Sequence, residues 1–177
     1  TDGQNTTQIP SGASDESVVR ALPGGELLIT QMGEDHTAHI GVTDREGGNP
    51  RPLVRGTGEW FQDLSPDGKT LLYVRVDSPR DLWSVPISGG EPRKIATSYG
   101  YIARVSPDNR MVAYLSVPEV EGASPTTCVV APIEGGAPIA TFTWPQQSYL
   151  PKWTPDGKGI SFLVSKDTVT NLVIQPL

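Results

Sequence analysis

The sequence predicts an all-β protein, a β-propeller of four-stranded antiparallel blades with four blade equivalents. The phrase Ser-Pro-Asp-Gly-Lys at residues 65–69 returns with small changes at residues 106–110 and 154–158. The prolines of these phrases are 41 and 48 residues apart, close to the roughly 40–45 residues of a four-stranded blade. In addition, 19 Gly and 17 Pro among 177 residues interrupt any long helix, so we expect almost no helix.

Each unit is predicted to contain four strands in a fixed order. A first strand leads into the Pro-Asp turn, a second strand follows, and after a variable loop a third strand ends at a Gly-Gly turn before a short fourth strand. In the second unit these strands are residues 59–64, 70–76, 81–87 and 92–96. We therefore expect a single propeller or half-propeller domain, residues 1–177, with units at about 17–56, 57–98, 99–145, and 146–177 completed by 1–10.

The residues of the Pro-Asp turn predict its backbone conformation. Pro66 presets the first corner, Asp67 suits the second, and Gly68 takes the left-handed position that closes the hairpin. Asn109 replaces this glycine in the third unit, and asparagine tolerates the left-handed region well. In the first unit the matching segment is residues 22–30, which carries Gly-Gly-Glu instead of Asp-Gly-Lys and is the weakest match.

The fourth unit stops early. Residues 171–177 align with residues 81–87, so the chain stops where a Gly-Gly turn and a fourth strand should begin. Residues 1–9 resemble the Gly-Gly turn and fourth strand at residues 88–95, with one insertion. We therefore expect one blade to be split between the termini, because pairing terminal strands removes exposed sheet edges.

The composition excludes several classes of partner. A net charge of −6, spread without blocks, argues against a nucleic-acid surface. The apolar runs are far too short for membrane insertion.

Cys128 is the only cysteine, so we expect a buried, inert thiol and no internal disulfide. Residues 1–12 lack the features of a signal peptide.

The segment at residues 34–39 holds both histidines, His36 and His39, beside Glu34 and Asp35. Residues three apart on a strand point to opposite faces, so the two imidazoles are not expected to converge on one metal ion. We predict a solvated polar loop at His36, without a metal or cofactor. A hydrolase triad that uses one of these histidines stays open, with no sequence feature in its favour.

No catalytic residue is predicted elsewhere. Asp67, Asp108 and Asp156 are interpreted as turn residues, since the Asp-box of sialidase-like propellers spaces its Asp and Gly apart whereas here Asp67 and Gly68 are adjacent. No Gly-x-Ser-x-Gly elbow is present to activate Ser88 or Ser106. A Gly-rich phosphate-binding loop is also missing from the sequence.

Aromatic and acidic residues give two further expectations. Trp60, Trp83, Trp144 and Trp153 are predicted to pack within or between blades, with Trp144 also considered as an exposed contact residue. The loop at residues 118–121, which holds two glutamates, could meet a basic partner or calcium. A solvated insertion is the simpler interpretation of this loop.

The combined pattern resembles the WD40-like PD40 repeat of TolB-type β-propellers. It is carried by residues 65–69 with 71–73, 106–110 with 111–114, 153–158 with 160–162, and the Gly-Gly turns at 46–50, 88–92 and 134–138. The resemblance implies a propeller that binds other molecules, in the periplasm or as an extracytoplasmic part of a larger bacterial protein such as a receptor kinase. Because such propellers usually have six or more blades, the chain is expected to be part of a larger one.

These observations favour a non-catalytic binding or sensor module, periplasmic or extracytoplasmic by resemblance alone. Its expected partner is a protein, a peptide or a small ligand, and two copies could pair as a homodimer that completes a larger propeller. The alternative is the propeller of an enzyme, either the gating propeller of a prolyl oligopeptidase-like peptidase or a channel-centred hydrolase or lyase. The first strands supply only Gln62, Asp63, Arg104 and Lys152 to such a channel, a set too sparse and mixed in charge to favour catalysis.

Overall fold

The computed structural model describes residues 16–32, 37–54, 56, 58–75, 80–97, 99–116, 127–145 and 148–177, and these residues form strands and turns without a helix. The strands are β1 (Glu16–Ala21), β2 (Leu27–Met32), β3 (Ala38–Thr43), β4 (Arg51–Pro52), β5 (Glu59–Leu64), β6 (Thr70–Arg75), β7 (Asp81–Pro86), β8 (Arg93–Ala96), β9 (Tyr99–Val105), β10 (Met111–Ser116), β11 (Thr127–Pro132), β12 (Ala140–Thr143), β13 (Ser148–Trp153), β14 (Gly159–Lys166) and β15 (Val169–Pro176).

The strands form four antiparallel sheets, each made of consecutive strands. The first sheet has the order β1-β2-β3-β4, the second β5-β6-β7-β8, the third β9 to β12 in sequence, and the fourth β13-β14-β15. The predicted all-β architecture of repeated four-stranded sheets is therefore confirmed. The strand expected to complete the fourth sheet, within residues 1–10, lies outside the described residues.

The chain divides into two compact units, Thr1–Trp60 and Phe61–Leu177. From here on the word unit refers to these two parts and not to the four sequence repeats. The first unit contains the first sheet, and the second unit contains the third and fourth sheets with nearly all of the second. β5 begins in the first unit and continues into the second.

The Pro-Asp turns adopt the predicted conformation. In three of them the residue at the left-handed position has a positive φ, which is 70° at Gly68, 62° at Asn109 and 69° at Gly157. The N–H of each donates to the carbonyl three residues earlier at 2.8 to 3.0 Å. Asparagine at position 109 thus takes the role of glycine, as predicted.

The first turn differs in length, which explains its weak match in sequence. The N–H of Leu22 donates to the carbonyl of Glu26 at 2.8 Å, whereas the N–H of Ser65 donates to Thr70 at 2.9 Å. The first turn is therefore one residue shorter than the second. Its Gly25, with φ of 88°, still supplies the left-handed residue.

Apolar faces of neighbouring sheets pack together within the second unit. One buried cluster joins Leu72, Val74 and Leu82 of the second sheet to Val112 and other residues of the third. A second cluster joins the third sheet to the fourth and contains Ala113, Leu115, Cys128, Val130, Trp144, Ile160 and Phe162. Both faces of the third sheet are thus covered by apolar residues, as the near-continuous apolar strands predict.

Candidate ligand-binding site

A cavity of about 250 Å³ lies on the first sheet, within the first unit. The pairing of Ile29 with Gly41 and of Gln31 with His39 places these four residues on one face. The wall is completed by residues of the third and fourth strands and the turn before the fourth, namely Ile40, Pro50, Arg51 and Pro52. The cavity is therefore mostly apolar, with three polar side chains at its wall.

Gly41 leaves room in this cavity and lets the neighbouring strand come close. A Cβ atom at position 41 would lie 3.0 Å from the backbone oxygen of Arg51, a distance that a normal side chain rarely tolerates. The missing side chain lets β4 approach β3, and it leaves space between Ile29 and Pro52.

His39 is held on both sides of its ring. Its Nε2 lies 2.9 Å from Thr37 Oγ1, and its Nδ1 lies 3.6 Å from Oε2 of Glu59. The Glu59 side chain is fully buried, whereas His39 is about one-third exposed. A buried carboxylate is costly unless it meets a partner. Thr37 and Glu59 together fix the orientation of the His39 imidazole at the cavity.

Arg51 brings a permanent positive charge to the cavity wall. Its Nη2 lies 3.4 Å from Oε1 of Glu26, and both side chains are partly exposed. A pair of this kind contributes little to stability in solvent. Its consequence is to hold the guanidinium near the cavity, where its positive charge attracts a carboxylate.

The sequence did not predict this set of residues. The sequence indicates for His39 only a metal ligand or a triad residue, neither of them favoured, and Arg51, Gln31 and Glu59 carry no motif. The one available signal was the register, since pairing β2 with β3 places Gln31 opposite His39. His36 lies outside the described residues.

The polar residues of the first strands connect neighbouring sheets. Oδ2 of Asp63 accepts a hydrogen bond from the N–H of Val105 at 2.9 Å. Nη1 of Arg104 donates to the carbonyl of Gln62 at 3.2 Å. These contacts use β5 and β9, while Lys152 on β13 is exposed. Asp63 and Arg104 thus have structural partners.

The turn aspartates also have structural partners. The hydroxyls of Ser65, Ser106 and Thr154 donate to Asp67, Asp108 and Asp156 at 2.6, 2.5 and 2.6 Å. These hydrogen bonds are the main cause that lowers the pKa of all three carboxyls from 3.8.

Cys128 is fully buried in the cluster between the third and fourth sheets. Burial raises the pKa of its thiol to about 12, which keeps the reactive thiolate scarce. The prediction that Cys128 is a buried thiol is therefore confirmed.

The tryptophans confirm most of the predicted packing and correct one expectation. Trp144 packs as predicted and not as the exposed contact residue also considered, since it is 5% exposed and its ring centroid lies 4.8 Å from that of Phe162. Trp60, expected to pack in the core, is 51% exposed. Trp153 packs as predicted, with its Nε1 donating to the carbonyl of Arg104 at 2.9 Å. Trp83 lies between two cations, with Arg75 at 5.3 Å and Lys94 at 5.2 Å from its ring.

The described residues include neither a cluster of metal ligands nor a membrane-spanning helix. Within the described ranges, no three His, Cys, Asp or Glu side chains come close enough to hold an ion. Those ranges also contain no helix long and apolar enough to cross a membrane. The acidic loop at residues 118–121 lies outside the described part of the chain.

Comparison with solved structures shows the fold. TolB from Agrobacterium tumefaciens has a TM-score of 0.63 with 18% identity over 87% of this chain and 58% of its own. The β-propeller domain of the Trilobed protease from Pyrococcus furiosus, which has an open velcro topology, has a TM-score of 0.60 with 16% identity over 84% of this chain and 50% of its own. At these identities the likeness concerns the fold alone.

An enzyme shares the same fold. Oligogalacturonate lyase, solved with manganese, has a TM-score of 0.63 with 17% identity over 86% of this chain and 45% of its own. This chain therefore spans about half the length of these three proteins. No protein-family model matches the sequence, and no curated protein is similar to it. The repeated sheets are thus blades of a β-propeller fold similar to those of TolB and of enzyme propellers.

Proposed function

We propose that this chain is a non-catalytic binding module and that the cavity of the first sheet receives its ligand. The observation that carries the proposal is the convergence of Arg51, His39 and Gln31 on a mostly apolar cavity of about 250 Å³. Small-molecule sites are typically apolar concavities with a few polar groups that fix orientation. Typical drug-sized ligands occupy roughly 300–1,000 Å³, so this cavity suits a smaller molecule.

The polar groups indicate an acidic ligand. Arg51 contributes a permanent positive charge, and the Gln31 amide contributes a polar group at the wall. Apolar contacts come from Ile29, Pro50 and Pro52. We therefore propose a small molecule with one carboxylate and an apolar body of about the size of benzoate.

Calorimetric titration with benzoate tests this proposal, with neutral benzamide as the matched control. Benzoate is expected to bind and benzamide to bind at least about tenfold more weakly, since charge-assisted hydrogen bonds are roughly twice as strong as neutral ones. Arg51→Gln is expected to abolish the difference between the two. Equal binding of both compounds, or no binding of either, contradicts the proposal.

The module is proposed to belong to a larger bacterial protein, outside the cytoplasm, with a protein or peptide as a further partner. The TolB likeness and the partial coverage of the solved propellers support this proposal. Association of two copies as a homodimer is part of it. The residues that flank Thr1 and Leu177 in the full-length gene test it, since a transmembrane helix and kinase domain upstream would support the receptor interpretation.

The second candidate is the propeller of an enzyme. It is favoured by the propeller of the Trilobed protease and by oligogalacturonate lyase among the similar structures. In the described residues of this chain, the aspartates of the turns and first strands have structural partners. A downstream α/β-hydrolase domain in the full-length gene would favour this candidate and contradict the first.

A further inference from the structure

β15 exposes large apolar side chains on both faces of the fourth sheet, with Val169 at 56% and Val173 at 37% on one face and the most exposed residues on the other. Leu172 is 68% and Ile174 is 57% exposed. In the antiparallel pairing of β14 with β15, Leu172 lies opposite Leu163, and Ile174 lies opposite Ser161. Directly opposite residues share a face, so these side chains form one surface, which we call the outer face of the fourth sheet.

A repeated backbone hydrogen bond identifies the equivalent positions in other sheets. The N–H of Ile87 donates to Lys69, that of Ile133 to Arg110, and that of Leu177 to Lys158, at 2.8 to 3.0 Å. Each of these three N–H groups follows the third strand of its sheet. The residues five positions before these three donors are therefore equivalent, and they are Leu172, Cys128 and Leu82. The residues three positions before them are Ile174, Val130 and Ser84.

The equivalent residues are buried in the inner sheets. Cys128, Val130 and Leu82 are fully buried, and Ser84 is 5% exposed. The same two positions are therefore covered in the second and third sheets and open in the fourth.

Another sheet supplies the cover in each case. Cys128 and Val130 pack in one cluster with Ile160 and Phe162 on β14. Leu82 packs in one cluster with Ala103 and Val105 of the third sheet. The outer face thus has the residue pattern of a surface that packs against a following sheet, and sheets stacked in this way lie about 10 Å apart.

We propose that the outer face of the fourth sheet packs against the same face of a second copy of this chain, about a two-fold axis. This rests on the proposed association of two copies and gives it a surface. It replaces a ring completed by two copies, since such a ring would bring two different faces together at each contact. A two-fold interface must be self-complementary, and like charges brought together oppose it. On β14 and β15 the face carries no charged side chain; its residues are Ser161, Leu163, Ser165, Thr170, Leu172 and Ile174.

The nearest charge on this face lies at its margin. Lys152 on β13 pairs with Ser161 on β14. β14 therefore separates it from β15. In a two-fold pair centred on β15, each Lys152 stays at the periphery, where it remains hydrated. Contiguous exposed apolar side chains on a strand are typical of an interaction surface.

The test is the mass of the 177-residue chain in solution, measured by sedimentation equilibrium over a range of concentrations. The chain is expected to reach twice its 19.0 kDa. The double variant Leu172→Glu, Ile174→Glu is expected to raise the dissociation constant at least about tenfold, because burying unpaired carboxylates is costly. The matched control is Ile139→Glu, which adds a charge at an apolar position that is 61% exposed outside the fourth sheet, and it is expected to leave the dissociation constant unchanged.

Three results would overturn the inference. The wild-type chain could stay monomeric at every concentration. The dimer could persist in the double variant. That result would mean that two copies associate through another surface and that this face is not the interface. Association could also fall equally in the Ile139→Glu control.

A second measurement decides the matter if the double variant fails to fold. The methyl groups of Leu172 in the wild-type chain are expected to be protected from a soluble paramagnetic agent at dimer-forming concentrations and broadened on dilution. Broadening at all concentrations, or protection in a monomer, contradicts the proposal, and the latter outcome would mean that the same chain covers the face.

Discussion

The side-chain oxygen of Asn109 accepts a hydrogen bond from the backbone N–H of Asp67 at 3.1 Å, and so connects the Pro-Asp turns of the second and third sheets. Asn109 also occupies the left-handed region, with φ of 62°. One residue therefore closes its own hairpin and holds the neighbouring turn. Gly157, at the same place in the next turn, has a similar φ of 69° but no side chain.

Substitutions at position 109 separate these two roles. Asn109→Gly retains the left-handed conformation and loses the connection, which costs about 0.5–1.5 kcal/mol. Asn109→Ala loses both and is expected to cost about 1–2 kcal/mol more, because alanine is strained in this region. Urea denaturation measures the free energy of unfolding, and equal stability of the two variants would show that the backbone conformation does not matter.

Trp144→Ala is expected to destabilise the protein by about 3–5 kcal/mol, the usual cost of removing a large buried aromatic side chain. The side chain is 5% exposed and packs against Phe162. Trp60→Ala is the matched control, since Trp60 is 51% exposed and surface changes usually stay within about 0.5 kcal/mol. Thermal and urea unfolding check both, and the opposite ranking would mean that Trp144 is the exposed residue.

Acid is expected to weaken the three Pro-Asp turns together. The pKa of Asp67, Asp108 and Asp156 is lowered from 3.8 in the folded chain, mainly by the hydroxyl that donates to each carboxyl. Their contribution to stability is therefore complete above the unfolded value of 3.8 and is lost as the pH falls through the lower folded values.

The triple Asp→Asn variant at these positions tests this effect. Because it cannot titrate there, it is expected to lose less stability than the wild type between about pH 5 and about pH 2. Urea unfolding at the two values gives the comparison. An equal loss in both chains would show that other carboxyls account for the acid sensitivity.

Cys128 is expected to resist thiol reagents in the folded protein. Burial raises the pKa of its thiol to about 12, and the side chain has no exposed surface. At about pH 8 the folded chain is expected to show no labelling by a chromogenic disulfide, and the chain in denaturant one thiol. Rapid labelling of the folded protein would place Cys128 at the surface.

The strands and turns could be predicted from the sequence because their determinants are local. Proline, aspartate and a left-handed glycine or asparagine specify a turn within four residues, and the spacing of these turns counts the sheets. The burial of tryptophan could not be predicted in the same way. Trp60 lies on a strand and Trp144 follows one, and the neighbouring sheet decides which of them is covered.

The candidate site was not predictable for a related reason. Gln31, His39 and Arg51 lie on three strands and meet only after the register of the first sheet is set. Glu59 is a charged residue at a fully buried position, which polarity alone would place at the surface. Gly41 matters through the side chain that it lacks.

The most direct test of the binding module is a nuclear magnetic resonance titration of the isotopically labelled chain with benzoate and with benzamide. With benzoate, the backbone amide signals of His39, Gly41 and Arg51 are expected to shift in a saturable way, while those of the third and fourth sheets stay in place. Benzamide is expected to shift them little, and Arg51→Gln to remove the response to benzoate. Unchanged signals at millimolar benzoate, or shifts spread over all four sheets, would contradict the assignment of the cavity as the ligand site.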